Sequence, residues 1–179
     1  MGGARHDPYS PARQVLGEPG QVDARTASHV DTRFRPEVFF VGRTEGAGLV
    51  KDFLGRVTRR CAIVTEGSRR GAYDAIHFDE TFTYDDGEID IWRWAMTVGA
   101  DDQYVAAEAT VGSRIVGQRI GDDYALSFHR HVRPNAFVAP RFFTRFTLLQ
   151  PDLALKSVKV DLFGLPVASM TAVHRKLDY

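Results

Sequence analysis

The stretch Ala75-Ile76-His77-Phe78-Asp79-Glu80-Thr81-Phe82-Thr83-Tyr84, then Asp85-Asp86-Gly87, then Glu88-Ile89-Asp90-Ile91-Trp92-Arg93-Trp94-Ala95-Met96, decides how the chain is read. Its first arm alternates, so Phe78, Glu80, Phe82 and Tyr84 share one face. Aromatic and β-branched residues at period two around an Asp-Gly turn signal a β-hairpin. A two-residue turn at Asp86-Gly87 would set Glu80 opposite Arg93. A three-residue turn with Gly87 in the left-handed conformation would set Glu80 opposite Trp92 and Phe78 opposite Trp94. The second register is expected, because it gathers Phe78, Phe82, Tyr84, Trp92, Trp94 and Met96 on one side. The result is an aromatic wall with one carboxylate, Glu80, in it.

Outward from this hairpin the chain reads as strands almost throughout. Val38-Phe39-Phe40-Val41-Gly42 leads into Arg43–Lys51, Gly55 turns, and Arg56–Thr65 follows. Beyond the hairpin come Gln103–Thr110, Arg114–Ile120, Tyr124–Val132, Arg141–Leu149, Leu153–Leu162 and Val167–Leu177. Helix candidates are confined to a turn or two at Asp52-Phe53-Leu54 or at Phe142–Phe146, both equally readable as strand or loop. About nine or ten strands with short turns describe an all-β antiparallel sandwich or barrel. A closed up-and-down barrel is expected, since an open sheet of this length would leave long bare edges. Residues 1–34 are polar, rich in Gly, Pro, Arg and Asp, and lack periodicity. They are expected to form a disordered or loosely docked arm, with residues 35–179 as a single barrel domain.

The totals restrict the function classes. In 179 residues, 44% hydrophobic, there is room for one domain with a sizeable core. Basic and acidic residues balance at 23 each, so no basic excess recruits nucleic acid. Cys61 is the single cysteine, which excludes an intrachain disulfide. No run approaches the roughly 18 apolar residues of a membrane-spanning helix, and residues 1–30 hold no signal-peptide core, so a cytoplasmic location is expected.

Phe40-Val41-Gly42-Arg43, Glu45-Gly46-Ala47-Gly48 and Asp52-Phe53-Leu54-Gly55-Arg56-Val57 resemble the opening of a bacterial family, domain of unknown function 3833 (DUF3833). The resemblance continues through Glu80-Thr81-Phe82-Thr83-Tyr84-Asp85-Asp86-Gly87-Glu88 with Trp94, and ends at Phe163-Gly164-Leu165-Pro166-Val167. It implies a lipocalin-like β-barrel with room for a small molecule. Many members resemble exported lipoproteins, and here this chain departs from the pattern. The family supplies no catalytic residues to carry over.

The candidate ligand-binding residues are therefore Phe78, Glu80, Phe82, Tyr84, Trp92, Trp94 and Met96, around a small, largely apolar ligand. Two alternatives stand beside that reading. Glu80 could act as acid or base on such a ligand, since desolvation raises a carboxyl's pKa unless a partner compensates. The barrel could instead be filled and serve as a structural or interaction module, with an exposed apolar patch around Phe142-Phe143. Glu80 could also be held structurally by Tyr84, Arg93 or a backbone group. His129 and His131 share a strand face that reads as solvent, and without a third ligand no metal site is expected. Lys156, Lys159 and Asp161 read as a solvated face, and Cys61 as a small buried apolar residue. Gly42, Gly46 and Gly48 lack a phosphate-loop ending and point to close strand crossing at the barrel closure. No catalytic residue or cofactor is implied, and the oligomeric state is left open.

Overall fold

The computed structural model describes residues 32–71, 75–99, 103–132 and 137–177. Among the described residues one short helix, α1 (Pro36–Phe39), precedes ten strands. These are β1 (Gly42–Asp52), β2 (Val57–Arg70), β3 (Ala75–Tyr84), β4 (Ile89–Val98) and β5 (Gln103–Glu108), then β6 (Ile115–Ile120), β7 (Asp123–His129), β8 (Arg141–Gln150), β9 (Leu153–Leu162) and β10 (Leu165–Leu177). Each strand pairs antiparallel with its neighbours in sequence, and β10 pairs with β1 to close the barrel. Closure is what the chain needs, because it leaves no unpaired ladder edge. The closing seam accounts for Gly46: a Cβ there would meet the carbonyl oxygen of Val173 at 2.1 Å.

The central hairpin has the three-residue turn. Phe78 lies opposite Trp94, Glu80 opposite Trp92 and Phe82 opposite Asp90. The amide of Gly87 donates to the Tyr84 carbonyl at 3.0 Å, the Tyr84 amide donates to the Glu88 carbonyl at 2.9 Å, and Gly87 has φ 87°. This is a type I turn ended by a left-handed bulge residue.

One end of the barrel is stoppered. The sequence reading takes Val38–Gly42 as an extended lead-in, but Pro36 sits at the first helical position, where its missing N–H costs nothing, and the chain turns once as α1. Four elements hold this turn. Lys176 donates through Nζ to the carbonyls of Val38 and Val41, capping carbonyls that a helix end leaves without partners. Tyr104 donates to the Glu37 carboxylate at 2.9 Å, Arg69 donates to the Glu37 carbonyl, and the Phe34 amide donates to Asp122 O at 2.8 Å. Phe34, Phe39 and Phe40 thereby pack into the barrel, with Phe40 stacked on Phe78 at 4.5 Å and Phe34 on Phe146 at 5.1 Å. Residues 1–31, most of the expected arm, lie outside the described residues. Phe34, placed in that arm by the sequence reading, is fully buried, so the packed body begins at or before it.

The hairpin turn yields a direct test. Gly87→Val puts a β-branched side chain at positive φ and should lower unfolding free energy by about 1–2 kcal/mol, measured by denaturant titration.

Candidate functional site

Inside the barrel, β3 points Glu80 inward and β9 points Lys156 inward, each about 2% exposed at its side chain. Lys156 Nζ donates to Glu80 Oε1 at 2.5 Å. The ammonium also lies 4.9 Å from the Phe82 ring centroid, 5.5 Å from Trp92 and 5.4 Å from Phe146. Aromatic faces attract a cation, so the rings and the carboxylate together offset part of the cost of removing Lys156 from water. His174, from β10, is wholly buried with Nε2 3.8 Å from the same Glu80 oxygen. Burial, and next the Lys156 charge, lower its pKa to about 3, so the imidazole is neutral at ordinary pH. Among the described residues neither ring nitrogen has a hydrogen-bond partner, and the hydroxyls of buried Thr44, Thr65 and Thr144 have none either. Glu80, Thr65 and Thr44 are ladder partners across β3, β2 and β1, so a polar belt crosses an otherwise aromatic interior.

This belt divides the interior. On the plug side, Phe40, Phe78, Trp94, Met96, Leu126 and Phe146 close around a space of about 10 Å³, scarcely enough for one water. Toward the open end a cavity of about 200 Å³ remains, with Lys156, Phe82 and Trp92 beside Tyr84, Phe142, Val158 and Met170. Charged groups are fixed around this mouth. Arg130 forms a two-pronged pair with Asp90, at 3.0 and 2.9 Å, and lies 4.5 Å above the Trp92 ring. Trp92 Nε1 donates to Asp90 at 2.6 Å, and Arg130 Nε donates to Thr110 at 3.0 Å. Glu108, buried, accepts from the amide and hydroxyl of Thr110. Arg59 sits 3.6 Å over the Tyr84 ring and pairs with Asp86 and Glu88. Burial and the nearby Asp90 push the Tyr84 phenol up to about 12.

Every residue of the expected aromatic wall points inward, but the wall faces two environments. Phe82 and Tyr84 border the mouth cavity, Phe78, Glu80, Trp94 and Met96 border the packed space behind it, and Trp92 borders both. Several expectations need correction. Lys156 is not on a solvated face: the strict alternation Ala154, Lys156, Val158 places it inside. It, and not Tyr84 or Arg93, is the partner of Glu80, while Arg93 points outward, 3.7 Å from Asp79. Phe142 is buried and Phe143 half-buried beneath Arg141, so no exposed patch forms there. Phe142–Phe146 is strand, and Asp52–Gly55 is a tight turn. Arg130 is an interior group that the sequence reading does not single out, and His174, a lone histidine by sequence, is interior too; each shares parity with a buried neighbour (Phe128 and Ala172). His129 and His131 are exposed, and among the described residues no group of three His, Cys, Asp or Glu converges as a metal site would.

The family model for DUF3833, a protein family of unknown function, matches residues 15–176. The chain belongs to this family. No curated protein is similar to this DUF3833 protein in sequence. Among solved structures it is similar to an S-type phycobiliprotein lyase, CPES, from Guillardia theta, at 12% identity and a TM-score of 0.61, covering 83% of this chain and 96% of that one. It is also similar to a protein of unknown function from the DUF3598 family of Nostoc punctiforme, at 13% identity and a TM-score of 0.59, covering 81% of this chain and 50% of that one. At such identities the likeness is one of fold, a lipocalin-like barrel.

The belt in this DUF3833 protein makes two predictions. Lys156→Met leaves Glu80 buried without its cation and should cost about 3–5 kcal/mol, most of it recovered in the double variant Lys156→Met, Glu80→Leu. Chemical denaturation of the single and double variants measures the coupling. The second concerns acid. With the His174 pKa depressed from 6.5 to about 3 in the folded chain, the unfolded chain takes up that proton first. Stability present above about pH 6.5 is therefore lost as pH falls toward 3, with a slope of at most about 1.4 kcal/mol per pH unit from this one group. His174→Gln should flatten the acid limb of the stability–pH curve.

Proposed function

We propose that the barrel binds a small, largely apolar molecule through its open end, in the cavity bordered by Phe82, Tyr84, Trp92 and Phe142. One observation carries this reading: the plug side is packed to about 10 Å³, while the mouth side keeps about 200 Å³ over the same aromatic wall. Ligand pockets usually enclose about 300–1,000 Å³, so the occupant is small or leaves a polar part outside. Asp90, Arg130 and Ser169 border the cavity and can meet such a polar part. The apolar body would rest on Trp92, whose ring is held in place by Phe128 and Phe142 and by its hydrogen bond to Asp90.

An acid–base role for Glu80 has less support. Its carboxylate borders the packed space beneath Lys156 and not the mouth cavity, so a molecule entering from the open end meets the ammonium first. A wholly filled barrel describes the plug side alone.

Trp92 and Trp94 are the two tryptophans of the chain, so a fatty acid or polyene probe should quench tryptophan emission saturably. Ala168 borders the cavity from β10, and Ala168→Phe should weaken that binding by about tenfold (~1.4 kcal/mol) with little change in melting temperature. Trp94→Ala, on the packed side, should instead cost about 3–5 kcal/mol of stability. Absence of saturable quenching, or quenching indifferent to Ala168→Phe, overturns the reading.

A further inference from the structure

Exposed aliphatic side chains are spread over the barrel, but the exposed aromatic ones are gathered at one end. Among the described residues the aromatic ones are Phe53, Phe137 and Phe163, exposed by 68%, 103% and 85%. Phe53 lies in the β1–β2 turn, Phe163 in the β9–β10 turn and Phe137 in the β7–β8 connection. Leu54 and Leu165 join them at 62% and 69%. Strand direction puts all three connections at the open end, away from α1, and the ladder order β2-β1-β10-β9-β8-β7 makes them consecutive around the rim.

Phe163 is independently unusual. It has φ 52° and is followed by Gly164 at φ 81°, a two-residue turn whose first position favours Asn, Asp or Gly. An L-residue with a bulky side chain is strained there, and among the described residues it is the one non-glycine at positive φ. A strained backbone carrying a solvent-exposed ring gains nothing evident from the fold itself. Strain retained at such a place is a pointer to function outside the fold.

We infer that this rim docks on a lipid bilayer with anionic headgroups, inserting Phe53, Leu54, Phe137, Phe163 and Leu165. The flanking charges fit that occupant. Arg56 is paired with Asp52 at the first tip, and beyond that pair Lys51 there, and Arg141 and Lys159 beside the other two tips, outnumber Asp161. The β3–β4 turn of the same end is acidic, with Asp85, Asp86 and Glu88, and carries no exposed aromatic residue, so insertion is one-sided. Separate tips, each presenting one or two apolar side chains next to cations, match the headgroup–acyl boundary, where apolar groups enter and basic groups stay with the phosphates. A protein partner would call for one continuous apolar patch. Docking is independent of whether the cavity holds a ligand, although it would open the mouth toward the hydrocarbon phase.

The test is co-sedimentation of the full chain with vesicles of phosphatidylcholine mixed with phosphatidylglycerol, and with phosphatidylcholine alone. The chain should partition onto the anionic vesicles, less at high salt and less onto phosphatidylcholine. Phe163→Asn, a residue that accepts the left-handed turn, should hold or raise the melting temperature while weakening partition. Phe53→Ser with Phe163→Asn should reduce it about tenfold or more. Absence of partition onto anionic vesicles overturns the inference, as does partition indifferent to these substitutions. So does a concentration-dependent dimer in sedimentation velocity that the same substitutions abolish, since the rim would then be covered by a second copy. Probe quenching without vesicles should survive both rim substitutions, so failure of docking and failure of cavity binding are read separately.

Discussion

The ion pair between Lys156 and Glu80 spans the barrel interior from β9 to β3, and the character of both halves follows from it. A barrel of ten strands is wide enough to need filling. Aromatic side chains fill the plug side of this pair, and the long lysine stem fills the middle. Placing a charged pair there is costly unless each group is satisfied, and the arrangement supplies a carboxylate at 2.5 Å and three ring faces around the ammonium. Burial, and after it the same cation, keeps His174 neutral, so the belt carries one full ion pair and a set of polar atoms without partners among the described residues. Such a belt sets the floor of the mouth cavity.

The plug works on the opposite end by a different device. Its helix is too short to be stable alone, and its cohesion comes from tertiary anchors: Lys176 on its carbonyls, Tyr104 on Glu37, and rings of Phe34, Phe39 and Phe40 packed inside the barrel. One end is thus sealed by aromatic packing, and the other, the mouth, is bordered by fixed charges. The rim that surrounds this entrance is also where the exposed phenylalanines are gathered. Entrance and apolar rim thus lie on one end of the barrel.

What could be read in advance was local. Strict alternation in β3 and β4, with an Asp-Gly turn between them, determined that hairpin, its register and its inward face, because a one-residue slip would have sent Glu80 to face Arg93 and turned the tryptophans to solvent. The number and antiparallel order of strands followed from short turns at regular spacing, and barrel closure from the need to leave no edges. The inward wall of Phe78, Glu80, Phe82, Tyr84, Trp92, Trp94 and Met96 is determined at this level. Alternation is ambiguous where both faces carry apolar residues, as in Leu153-Ala154-Leu155-Lys156, so the sequence does not place Lys156 on the inner face. α1 is not legible in the sequence, because one helical turn has no periodicity to detect, only Pro36 at its start.

The sequence by itself thus determined a closed antiparallel barrel with an aromatic interior and a carboxylate within it, because side-chain parity and turn chemistry act over a few residues. Tertiary structure alone decided that Glu80 meets Lys156, that Arg130 meets Asp90, that Phe34 and Phe40 seal one end, and that the other end stays open. The partners in these contacts stand 76 and 40 residues apart in the ion pairs, and parity along one strand carries no information about which strand faces it across the barrel. That pairing is set by closure, which brings β9 across from β3 and leaves the plug a single end to occupy.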